Sequence, residues 1–349
     1  MDTDTAMPEP LRSALAQFAP LLRVVDLENV SMSVSTNRVY RVGFDSGEEL
    51  FAKVSSYGSY LHFKKDHELI HQWGSLLANT PFERFLAPVA VRDGRVFTHR
   101  SGGFFVAFYH KVPFYDFLPR VLTDGQVESF GQEMARLHLE GARVVERMGP
   151  TWKSVGSDMA ILYDALGHDD FLGHLGLPLE LADSLRMHCD TCLEQAERLG
   201  YHTMPHIPVL IDWNITNFSV GLDRVGFHFY SRWDYDWFRV EPRVFDFYFC
   251  ARVVRAEGDK TVFSYLADPI FEPRFERFLR AYHEVYPLTA EDLLMQKEAY
   301  RFFLLNYVIR VGEHFYRPEI RRRLQREAVE QYLPALADID FRRMLCVLD

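Results

Sequence analysis

The sequence predicts an α+β chain of two unequal lobes, a small β-rich lobe with one helix over residues 1–112 and a larger, mainly helical lobe over 113–349. Three observations lead there. A length of 349 residues exceeds one average domain and fits two bodies sharing a cleft. Up to about Val112 the apolar residues come in short runs broken by turns, as strands require. After Pro113 they recur every three or four residues, as helices require.

Residues 1–26 read as a leader with a short helix in "LRSALAQFAPLLR". "RVYRVGFDSGEELFAKVSS" predicts two strands around the turn "DSGEE", and a helix follows from Leu61 to Leu77. "FLAPVAVRDGRVFTHR" turns at Asp93-Gly94, and "GGFFVAFYHKV" completes a lobe of five strands and one helix. In the second lobe, "DGQVESFGQEMARLHLEGARV" carries Val127, Phe130, Met134 and Leu137 at helical spacing, with Thr123 or Asp124 as N-cap. "LELADSLRMHCDTCLEQAERLG" is a helix closed by Gly200. Residues 208–238 return to strand character, "VLIDWNITNFSV" and "VGFHFYSRWDYDW" flanking the turn "GLDR". From Pro242 onward the pattern is helical.

Composition narrows the function. Apolar residues are 48% and charged residues 25%, as in a globular protein. The 29 Phe and 17 Tyr are spread along the chain and read as core packing. A net charge of −10 argues against a nucleic-acid partner, whose phosphates call for a basic face. No apolar run reaches membrane-spanning length, and "MDTDTAMPEP" lacks the order of a signal peptide, so a cytoplasmic protein with no membrane partner is expected. Cys189 and Cys192 form a lone C-x-x-C on one helix face, read as two half-buried thiols.

The chemistry is expected in the 208–238 hairpin. If its strands pair around "GLDR", Asp212, Asn217 and Asp234 come together at their outer ends. Phosphoryl transfer needs such a set: one carboxylate to orient and deprotonate a hydroxyl, and separate oxygen ligands to hold Mg²⁺ against phosphates. Taken singly, Asp and Asn are common turn residues. Lys53 lies within the apolar strand "LFAKV", where a lysine commonly faces solvent but in a nucleotide cleft would reach the phosphates. Glu68, on the next helix, is then the carboxylate expected to hold its ammonium.

The order strand–Lys53, helix–Glu68, "DWNITN", strand–Asp234 resembles the aminoglycoside phosphotransferase and choline kinase superfamily over about residues 31–249. The resemblance implies a protein-kinase-like two-lobe fold and ATP- and Mg²⁺-dependent phosphorylation of a hydroxyl on a small molecule, cationic acceptors included. "STNRVYRV" resembles the nucleotide-covering hairpin, with Ser35 and Asn37 in its loop. "AFYHKVP" resembles the hinge. "DWNITN" resembles the catalytic loop, which makes Asp212 the base and Asn217 a metal ligand. "WDYDWFRVEPRVFD" resembles the metal segment, with Asp234 as ligand, Asp236 assisting, and Pro242 and Asp246 bracing the loop. The family's His two residues before the base is Leu210 here, which leaves open a nucleotide-binding protein with weak turnover. The acidic residues Asp158, Asp164 and "HDD" at 168–170 would suit a cationic acceptor or form a solvated face.

A third reading comes from His67-Glu68-x-x-His71, the short signature of a zinc hydrolase. It lacks a convincing third ligand, since Leu77 stands where the extended motif needs His and Glu83 follows the helix too closely.

Overall fold

The computed structural model describes residues 7–32, 36–224, 226–258 and 264–349. Helix α1 (Glu9–Phe18) starts behind Pro8, and strand β1 (Val24–Asn29) follows within the stretch read as a leader and its end. β2 (Arg38–Phe44), β3 (Glu49–Ser55), helix α2 (Tyr60–Leu76), the two-residue strands β4 (Val91–Arg92) and β5 (Arg95–Val96), then β6 (Thr98–Ser101) and β7 (Phe104–His110) complete the small lobe. Its main sheet is antiparallel in the order β1-β2-β3-β7-β6. The main sheet has five strands, but β1 takes the place expected for "FLAPVAV", of which Val91 alone enters a strand (β4), while Leu86 and Val89 make isolated bridges to Arg232 and Tyr109.

The period of two decides what each face of this sheet does. On β3 and β7, Ala52, Val54, Val106 and Phe108 pack with Leu11, Ala14 and Leu15 of α1. The alternate residues Phe105, Ala107 and Tyr109 join the core shared by α2 and the large lobe. Lys53 lies between Ala52 and Val54 and therefore projects to the cleft side, away from α1.

The large lobe opens with α3 (Asp124–Val144), capped by a reciprocal box between Thr123 and Gln126. Next come α4 (Val155–Ala165), α5 (Asp169–Leu175) and α6 (Ala182–Arg198), the last carrying buried Cys189 and Cys192. Two nested hairpins follow: β8 (His206–Val209), β9 (Phe218–Leu222), β10 (Phe227–Arg232) and β11 (Arg239–Pro242). β9 pairs β10, and β8 pairs β11, both antiparallel. This nesting brings the loop 210–217 alongside the loop 233–238. Helices α7 (Phe247–Val253), α8 (Pro273–Val285), α9 (Ala290–Phe303), α10 (Pro318–Glu327) and α11 (Leu333–Ala335) close the lobe, with a π-helical turn at Leu304–Arg310 continuing α9. The abundant aromatics fill this core, as Trp213, Phe130, Phe218 and Phe229 illustrate by mutual ring contact. Among the described residues, no helix is long and apolar enough to cross a membrane.

Candidate active site

The loop after β8 is strained and tightly held. Asp212 N–H donates to Leu210 C=O at 2.7 Å and Trp213 N–H to Ile211 C=O at 3.0 Å, two successive three-residue turns. Ile211 has φ +61°, a left-handed value that a β-branched residue rarely adopts. Asp246 holds this bend: its Oδ1 accepts from the amides of Leu210 (2.9 Å) and Ile211 (2.5 Å). His138 Nε2 lies 2.9 Å from Asp246 Oδ2 and its Nδ1 2.8 Å from the Tyr282 hydroxyl, so the brace is itself anchored in the core.

Asp212 sits within this loop with the side-chain amide of Asn214 donating to its Oδ1 at 2.5 Å. Burial, reinforced by the nearby Asp234 charge, pushes its carboxyl up to about 6. Such a value suits a group that must take a proton near neutrality. Asn217 is buried and donates from Nδ2 to the Asp212 C=O at 3.3 Å, so its amide oxygen is the end that a cation would use.

Across from this loop, Asp234 also has a left-handed φ of +70°. Its Oδ1 lies 2.7 Å from Lys53 Nζ, and Asp236 Oδ1 lies at the same distance. Burial disfavours the Lys53 ammonium, but the two carboxylates outweigh it and hold the amine above its ordinary value. For Asp234 burial is likewise overcome by Lys53, and the carboxyl is held below the usual range; for Asp236 burial wins and raises it. Asn37, buried on the covering hairpin, donates from Nδ2 to Asp236 Oδ2 at 2.6 Å. Asp234, Asp236 and Asn217 offer the hard oxygen donors that Mg²⁺ takes, so the residues fit that ion.

The sequence reading places Lys53, Asn37, Asp212, Asn217 and Asp234 in one region, and the structure brings them there; Ser35 lies outside the described residues. Glu68 does not join them. It reaches Lys64 at 3.9 Å on the outer face of α2, a half-exposed i,i+4 pair. The reason is helical phase: Phe63, His67 and Ile70, spaced i, i+4, i+7, face the core, and Glu68 is turned about 100° away from His67. The carboxylate expected from the helix is supplied instead by Asp236 of the 233–238 loop.

His67 also removes the zinc reading. Its Nδ1 bonds the Phe63 C=O at 2.6 Å and its Nε2 lies 2.6 Å from the Tyr109 hydroxyl, so neither nitrogen is left for a metal. Burial pushes the imidazole down to about 3 and keeps it neutral. Asp158 is corrected as well. It does not form a solvated face, but is buried between Arg239 (2.6 Å) and Arg310 (2.7 Å), whose charges it already neutralises.

Contacts between the lobes complete the setting. Asp66 of α2 pairs with Lys153, and Gly149 N–H donates to Gln72 Oε1 at 2.9 Å, tying α2 to the segment before α4. The Thr36 hydroxyl donates to the His314 C=O at 2.5 Å, and the Tyr57 ring packs on Phe315 at 4.7 Å. Behind Lys53, a cavity of about 80 Å³ is walled by Phe63, His67, Tyr109, Lys153 and Asp236, smaller than the 300–1,000 Å³ usual for ligand pockets. The residues that sequence reasoning missed are Asn214, Arg232, Asp66 and Lys153. The Asp66–Lys153 pair joins residues distant in the chain, and no local pattern announces it.

No family model matches the chain, and neither does any curated protein. Solved structures do. The chain is similar to amicoumacin kinase hAmiN in complex with AMP-PNP, Ca²⁺ and Ami, at 13% identity, covering 99% of this chain and 100% of that one, with a TM-score of 0.62. It is similar to a microcompartment-associated aminopropanol kinase at 18% identity (96% and 98% covered, TM-score 0.59). A Plasmodium vivax ethanolamine kinase matches at 12% identity (91% and 83% covered, TM-score 0.57). At these identities the likeness is one of fold: over essentially the whole chain the protein shares the two-lobe, kinase-like α+β architecture of these structures.

Proposed function

We propose that the protein transfers the terminal phosphoryl group of ATP, with Mg²⁺, to a hydroxyl of a small molecule, amino alcohols and aminoglycosides being the first classes to test. One observation carries the reading: a buried lysine from the small lobe meets the carboxylates of Asp234 and Asp236 beside a loop whose Asp212 carboxyl stands near 6. The fold it shares with amicoumacin, aminopropanol and ethanolamine kinases supports it.

In this reading Lys53 leaves its carboxylates to hold the nucleotide phosphates. Asp212 accepts the hydroxyl proton as the acceptor oxygen attacks, and Asn214 keeps that carboxylate aimed. Asp234, Asp236 and Asn217 would hold Mg²⁺, which when bound neutralises charge on the phosphates. Closure of the covering hairpin on residue 314 would keep water from the transferred group. Most of the acceleration comes from positioning and charge, since this chemistry asks little covalent work of the protein.

The test is an ADP-release screen with ATP and Mg²⁺ over amino alcohols, aminoglycosides and sugars, beside a thermal-shift titration with the same nucleotide. Acceptor-dependent ADP release is expected. Nucleotide-induced stabilisation with no release on any acceptor would move the protein to the weak-turnover reading, and neither signal would overturn both.

A further inference from the structure

Arg232 ends β10 at 0% exposure, directly beneath the two loops of the site. Its guanidinium lies 4.6 Å from the Trp213 ring centroid. Nη2 donates to the C=O of Asp212 at 2.7 Å and to the C=O of Asp234 at 3.4 Å. Among the described residues, its Nε and Nη1 have no hydrogen-bond partner. A buried cation with two nitrogens unfilled carries a desolvation cost, which the nearby charges of Asp212 and Asp234 offset only in part. Stability alone does not explain it.

Its position does. The two carbonyls it reaches belong to the residues that carry the base and the metal carboxylate. Each follows or occupies a left-handed bend, Ile211 at +61° and Asp234 at +70°, conformations that persist only where surrounding contacts impose them. Asp246 holds the amide side of this bend, at Leu210 and Ile211. Leu210 is buried and apolar, so its own side chain offers no hydrogen bond to the loop. The carbonyl side is held from Arg232. Its backbone is fixed in turn: Arg232 N–H donates to Phe85 C=O at 2.5 Å, Ala87 N–H to Arg232 C=O at 2.9 Å, and the Tyr235 hydroxyl to the same oxygen at 2.8 Å.

We infer that Arg232 is a positioning residue that locks the Asp212 loop to the Asp234 segment, supplying the brace that Leu210 cannot. The inference rests on the phosphotransferase reading for its catalytic consequence, but the brace itself is a property of the fold.

The test is Arg232→Met, alone and with Leu210→His, read by kinetics, thermal midpoint and amide hydrogen exchange. In Arg232→Met the midpoint should fall, because the Asp212 and Asp234 carboxylates lose a buried counter-charge. Its kcat should fall about 10- to 100-fold, as small misplacements of reacting groups cause, with KM for ATP little changed. Exchange should quicken in residues 212–217 and 233–236 and nowhere else. Adding Leu210→His should restore part of kcat and slow that exchange. Unchanged exchange in both loops, or exchange that quickens throughout the large lobe, would overturn the inference. Should Arg232→Met not fold, Arg232→Lys keeps the cation over Trp213 without the planar fork, and the same two-loop exchange decides. Absence of turnover in the unaltered protein would count against the functional reading alone, because the exchange measurement does not need it.

Discussion

Lys53 and Asp236 meet at 2.7 Å across the two lobes, while Glu68 faces Lys64 on the far side of α2. The lysine of the small lobe is thus oriented by the 233–238 loop and not by the helix of its own lobe. Asp236→Asn should lower kcat/KM by about tenfold or more, the cost of losing one charged partner in a buried site. Glu68→Ala should leave it within about twofold, since an exposed i,i+4 pair contributes about 0.5 kcal/mol or less. Steady-state kinetics on the two variants side by side decide this.

Asp212→Asn keeps the size of the side chain and removes the base. Turnover should fall by about 10²- to 10⁴-fold, and nucleotide affinity measured by thermal shift should hardly change. Turnover close to that of the unaltered chain would mean that another group takes the proton.

Chelation of divalent ions should abolish the ATP-induced thermal shift. Asp234→Ala and Asn217→Ala should each raise the Mg²⁺ concentration needed to restore it. The readout is the midpoint of a Mg²⁺ titration at fixed ATP, which an acceptor of unknown identity does not affect.

The Asp66–Lys153 pair fastens α2 to the large lobe, and both side chains are nearly buried. Burial already raises the Asp66 carboxyl against the pull of Lys153. Lys153→Met should therefore cost up to about 3–5 kcal/mol where Asp66 is ionised without a partner, and the cost should shrink as the pH is lowered and Asp66 takes a proton. Joint replacement with Asp66→Leu should recover much of the loss, as urea unfolding would report.

His67 gives the fold an acid-side slope. Its imidazole is held neutral down to about 3 in the folded chain, while the unfolded chain takes up a proton near 6.5. The unfolded state binds more protons between these values, so this contribution is complete above about 6.5 and lost as pH falls toward 3. The loss is on the order of a few kcal/mol. His67→Gln should flatten stability against pH in that window.

Much of this was legible in the residues. The turns "DSGEE" and "GLDR" mark the hairpins that form, and the nested pairing brings Asp212, Asn217 and Asp234 together as their strand order implies. Glu68 was misread because a motif position was weighed above helical phase. The stripe Phe63, His67, Ile70 already marks the buried face, and Glu68 is not on it. β1 was missed because "VVDLEN" is half polar and pairs along one edge of the sheet, with Glu28 and Asp26 pairing with Arg41 of its neighbour. Arg232 could not be read at all. A strand-end arginine ordinarily reaches solvent, and only the tertiary placement of two distant carbonyls turns it inward.

The hydrogen bond from Thr36 to His314 spans 278 positions of sequence. Together with the Tyr57–Phe315 ring contact, it makes the region around residues 314–315 an abutment for the roof at the front. A protein trimmed after Arg310 would lose that abutment together with the buried side chains of Phe315, Leu324, Tyr332 and Phe341, which belong to the core of the large lobe. Truncation there during cloning would therefore register as failed folding, and the leaky entrance would be the lesser part of the damage.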